Sequence, residues 1–155
     1  MVEDSARADR ELVQATLQRN RLMVAALAAG VLFLAAVSGF LDLGRVDFAA
    51  SLALPVGLLG LITLVVGWRV YVVLGERASG IEDVDSGCAR YTTALLIALA
   101  LTEGVAFLGI VAYMLGAGVM ALTGVLTHVL LTAVLWPGAE KVRPFLGRAG
   151  RRFIE

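Results

Sequence analysis

Two ionisable side chains, a carboxylate and an imidazole, stand inside apolar runs of this chain: Glu103, in the run Tyr91–Leu115, and His128, the sole histidine, in the run Val119–Trp136. A carboxylate facing an imidazole can pass a proton, hold a cation or tie two helices together by a hydrogen bond. Placing either group in a bilayer core costs a few kcal/mol even on the mildest scale, which makes an intramembrane carboxylate a functional-site hypothesis by default. The two runs meet at Gly116, with Glu103 13 residues before it and His128 12 after. At 1.5 Å per residue the side chains lie at one depth to within about one or two Å, roughly 18 Å from the turn. Ala100 and Ala106 flank Glu103 at i−3 and i+3, and Ala121, Gly124, His128 and Thr132 form one stripe, so small neighbours permit close approach. The spacing suits a Glu103–His128 pair, which would titrate as one coupled system; the alternative is that the two do not touch and Glu103 faces a partner subunit.

Four apolar runs must position that pair. The chain has 155 residues, of which 59% are hydrophobic and 17% charged, with a mean hydropathy of +0.87. A soluble domain carries nearer a quarter charged residues. All 13 Lys and Arg fall outside the apolar runs, the pattern of a polytopic membrane protein. The expected fold is all-α, a four-transmembrane-helix bundle. Its spans fall at about residues 22–41, 48–68, 91–115 and 119–136, each near the roughly 20 apolar residues that a bilayer requires. Net charge is zero, which gives no case for nucleic acid, and the single cysteine, Cys88, excludes an internal disulfide or a thiolate metal cluster.

Residues 1–21 read as a polar lead-in helix with Ala8, Leu12 and Ala15 on one stripe, acids early and Arg19 and Arg21 late. In the second run Gly60, Thr63 and Gly67 form a narrow seam suited to helix packing, and Pro55 interrupts the outer third. Trp68 and Tyr71 mark an interface. The polar loop 75–90 holds Glu82, Asp83 and Asp85, but their spacing is not that of a calcium loop, and no metal site is expected. Residues 137–155 read as a basic tail whose Lys141, Arg143, Arg148, Arg151 and Arg152 would meet anionic headgroups or a partner. Lys and Arg number four before the first run, one in the first link, three around the polar loop, none at the Gly116 turn and five in the tail. The positive-inside rule then puts both termini and the polar loop in the cytoplasm. The expected location is a bacterial cytoplasmic membrane.

One helix resembles a known one. Arg90, the run Leu95–Leu101, Glu103, Gly109 and Ile110-Val111-Ala112 are similar to the carboxylate helix of the proteolipid (c) subunit of rotary ATPases. The resemblance covers Arg90–Leu115 and implies a proton- or cation-carrying role for Glu103 in a ring of identical hairpins. In a four-span proteolipid the essential carboxylate lies on an even-numbered span, whereas Glu103 lies on the third.

Three classes of function fit these observations. The first is an accessory or structural subunit of a membrane complex, with Glu103 and His128 fixing the bundle or binding a partner helix. The second is a proton- or cation-binding subunit, with Glu103 and His128 as the binding residues. The third is a membrane-embedded enzyme, for which no zinc motif, nucleophile elbow, P-loop or dinucleotide fingerprint is present. The balance is against an enzyme and against any cofactor. The expected partners are membrane lipids and either further copies of the chain or other subunits.

Overall fold

The computed structural model describes residues 2–41, 46–77 and 83–147. Within them every regular element is a helix: α1 (Val2–Ser38), α2 (Ala49–Glu76), α3 (Val84–Ala112), α4 (Thr123–Val134) and the single turn α5 (Ala139–Val142). A π-helical turn at Tyr113–Ala117 and a 3-10 turn at Val119–Leu122 join α3 to α4, and a 3-10 turn at Arg143–Leu146 follows α5. Three helices are long and apolar enough to cross a membrane, or four if the bent pair Val119–Val134 and Ala139–Leu146 counts as one span. The chain is an all-α, membrane-spanning protein.

The helix α3 is the central post. It packs against α1, α2 and α4, while α1 and α2 both also reach α4. The lead-in is not a separate element. The helix α1 runs without a break from Val2 to Ser38, through the lead-in and most of the first apolar run. Val13, Leu17, Asn20, Val24, Leu27, Val31, Leu34 and Ser38 alternate at spacings of four and three, the seam of a coiled-coil-like contact, and all are buried or half-buried. Of the expected stripe, Leu12 is half-buried and packs against the core, while Ala8 and Ala15 are exposed. Asn20 is fully buried, and its Nδ2 donates to Thr92 Oγ1 of α3 at 3.0 Å.

Glycine sets the spacing of α2, α3 and α4. A Cβ on Gly60 would lie 3.0 Å from the backbone of Gly124, and one on Gly124 would lie 2.7 Å from the carbonyl of Val105. A Cβ on Gly67 would meet the Ala98 carbonyl and Leu131 Cδ2, each at 3.0 Å. Such contacts let backbones touch where apolar bulk gives no advantage over lipid. Gly57, Gly60 and Gly67 make the α2 seam. Thr63 is only half-buried, and its hydroxyl turns back to the carbonyls of Leu59 and Gly60. The turn between α3 and α4 depends on Gly116 and Gly118, whose φ angles of 101° and 81° are strained for any side chain.

The tail is more than a basic extension. After Pro137 the chain turns by 93°, and residues up to Leu146 fold back beneath α2 and α3. Phe145 is fully buried, with its ring 5.3 Å from that of Tyr71 and 5.4 Å from that of Tyr91. Tyr71 donates its hydroxyl to the Lys141 carbonyl at 2.8 Å, and Arg21 of α1 donates to the Pro137 carbonyl at 2.9 Å. Lys141 is half-buried and Arg143 exposed; Arg148, Arg151 and Arg152 lie outside the described residues.

Candidate functional site

The most buried polar side chains among the described residues are Asn20 of α1, Thr102 of α3, and Thr127 and His128 of α4. On α4, Ala121 just before it, then Gly124, Thr127, His128, Leu131 and Thr132, all face inward. His128 is fully buried. Its Nδ1 lies 3.0 Å from Thr102 Oγ1, and its Nε2 has no hydrogen-bond partner among the described residues. The expected Glu103–His128 pair is therefore replaced by a Thr102–His128 bond. The depth is right and the direction is wrong: consecutive residues of a helix diverge by about 100°, so the residue beside Glu103 takes the place at the imidazole.

Glu103 faces α1. Thr92 lies 11 residues before it and Ile110 seven after, so both point within about 20° of its direction. Thr92 is hydrogen-bonded to Asn20 of α1, and Ile110 packs in one cluster with Val31 of α1. Between Arg21 and Ser38, α1 carries no polar side chain to answer a carboxylate. Glu103 is half-buried and makes no hydrogen bond or ion pair with the described residues.

Its surroundings on the outer face are small. Ala100 and Gly104, four apart, are both exposed, and a Cβ on Gly104 would meet nothing within 4 Å. Ala106, by contrast, is fully buried in the α1–α3 contact. Of the two alanines expected to admit His128, Ala106 packs inside the bundle and Ala100 points out of it. The arrangement divides the chemistry in two: an interior Thr102–His128 link, and a carboxylate on the rim of α3 next to a shallow, small-residue notch.

Sequence reading did not find Thr102, Asn20 or the Tyr71–Tyr91–Phe145 cluster. For Asn20 a signal was available, because the seven-residue repeat of α1 passes through it. At the loop, Asp83 acts as the N-cap of α3, its carboxylate accepting from the Ser86 backbone N–H and hydroxyl. Those bonds hold its carboxyl below the usual aspartate range. Comparison with known proteins finds no family model, curated protein or solved structure that matches this chain.

Proposed function

We propose that this chain is a small accessory subunit of a membrane complex, and that Glu103 is where a partner helix docks. The observation that carries this reading is a half-buried carboxylate, in mid-span, with no partner among the described residues. Its neighbour Gly104 is open, and Ala100 and Gly104 form the small-xxx-small spacing at which membrane helices approach closely. A donor from another helix (hydroxyl, amide or cation) would relieve a group that lipid cannot. In this reading four spans cross a bacterial cytoplasmic membrane with both termini inside, as the distribution of Lys and Arg favours. Lys141 and Arg143, with the remaining arginines of the tail, meet anionic headgroups there.

The rim position of Glu103 also favours a second reading, in which identical copies form a ring and the carboxylate carries a proton or cation, as the proteolipid resemblance implies. The test is native mass spectrometry of the protein released from its own membranes in mild detergent. A fixed hetero-complex that is lost on Glu103→Gln or Gly104→Leu supports the accessory subunit. A large closed homo-oligomer with ion flux abolished by Glu103→Gln supports the carrier. A monomer that tolerates both substitutions would sink the two readings together.

A further inference from the structure

The hydrogen of the His128–Thr102 bond can be assigned. Thr102 has one hydroxyl proton and two acceptor candidates at 3.0 Å, the Leu99 carbonyl and His128 Nδ1, and both contacts are hydrogen bonds at once only with the proton on the carbonyl. Toward His128 Nδ1 the same oxygen must then accept, so Nδ1 carries the hydrogen. In that arrangement the neutral ring is the Nδ1–H tautomer, and Nε2 is a bare lone pair.

One turn along α4, Thr132 repeats the situation. It is 6% exposed, and its Oγ1, like His128 Nε2, is buried without a partner. Thr132 and His128 stand four residues apart on one helix, so the hydroxyl and the ring are neighbours on the same buried face. Two orphaned groups of complementary character, an acceptor and a hydroxyl, thus stand on one buried face. The hydroxyl has already declined the backbone carbonyl one turn back, the usual partner of a helical threonine.

We propose that a single water molecule is bound between His128 Nε2 and Thr132 Oγ1. It donates one hydrogen to the imidazole and accepts the hydroxyl hydrogen of Thr132, which supplies the two polar partners that a buried water needs at minimum. The chain of donors then runs in one direction: Thr132 to water, water to His128, His128 to Thr102, Thr102 to the Leu99 carbonyl. Because it ends on a backbone carbonyl, the direction of every bond in it is set. His128 is held as a hydrated anchor, separate from the Glu103 rim.

The experiment is solid-state NMR of the full chain in lipid bilayers with 15N-labelled histidine. The chain has one histidine, so the spectrum reports this ring alone. The expected wild-type result is a protonated Nδ1, an unprotonated Nε2 and magnetisation transfer from water to Nε2. Thr132→Val is expected to keep the tautomer and lose most of the transfer, and Thr132→Ser to restore it. Thr102→Val is expected to release the tautomer to a mixture. A wild-type Nε2–H tautomer, or a bare Nε2 with no transfer from water, overturns the proposal without any variant. Undiminished transfer in Thr132→Val removes Thr132 from the site.

Discussion

The Thr102 hydroxyl and the His128 imidazole meet at 3.0 Å in the bundle interior, and their bond joins the two helices on either side of the Gly116 turn. Thr102→Val keeps the shape and leaves His128 Nδ1 without a hydrogen-bond partner, which is expected to cost about 1–2 kcal/mol. Thr102→Ser should stay near wild type. Reversible unfolding in mixed detergent micelles measures both. A Thr102→Val/His128→Leu double variant should lose less than the sum of its parts, because the partner that suffers is also gone. Strict additivity would mean that the bond contributes nothing.

That relationship shows what could and could not be read from sequence. Hydropathy and the placement of Lys and Arg gave the helices, because a bilayer core admits so few alternatives. Equal distance from Gly116 gave the depth at which α3 and α4 exchange polar contacts. Rotation about the helix axis did not follow, since a turn of about 100° separates Thr102 from Glu103 and apolar residues surround both. The same limit applies to Ala100 and Ala106, which distance from Glu103 treats alike and packing treats oppositely. The lead-in is the expected helix, but its buried face does not follow from its composition. Its polar composition hides a buried stripe through Leu17 and Asn20, which continues the seam of the apolar half. The return of the tail was invisible because Phe145 finds Tyr71 and Tyr91 only after the chain turns at Pro137.

Glycines on the two sides of the bundle should respond differently to the same methyl group. Gly124→Ala drives a Cβ to 2.7 Å from the Val105 carbonyl, and Gly60→Ala drives one to 3.0 Å from Gly124. Overpacking of this kind costs roughly 1–3 kcal/mol. Gly104→Ala meets open space and should hold or raise the stability of the isolated chain, by up to ~1 kcal/mol from helix propensity. Thermal unfolding in one detergent ranks the three. Equal losses at Gly104 and Gly124 would contradict the packing described above.

Phe145→Ala removes a fully buried ring that fills the space between Tyr71 and Tyr91. The expected loss is about 3–5 kcal/mol, together with release of residues beyond Pro137 to a soluble protease. Arg143→Gln, at an exposed position of the same turn, should change stability by less than ~0.5 kcal/mol. A tail equally protected in both variants would show that Phe145 does not hold it.

The cap at Asp83 sets an acid limit on the start of α3. Its carboxylate accepts the Ser86 backbone N–H at 3.0 Å and the Ser86 hydroxyl at 3.1 Å, and the bond to the backbone is the larger cause of its lowered pKa. A group whose pKa is depressed in the folded state contributes stability above its unfolded value, about 3.9 for aspartate, and loses it as pH falls through the lower, folded value. Amide exchange at Ser86 and Gly87, corrected for intrinsic rate, should therefore be slow at about pH 5 and faster at about pH 3, with the middle of α3 unaffected. Asp83→Asn keeps an acceptor at the cap and should remove the pH dependence. Asp83→Ala should fray the first turn at both pH values. Equal protection of the wild-type first turn across that range would mean that the carboxylate does not hold it.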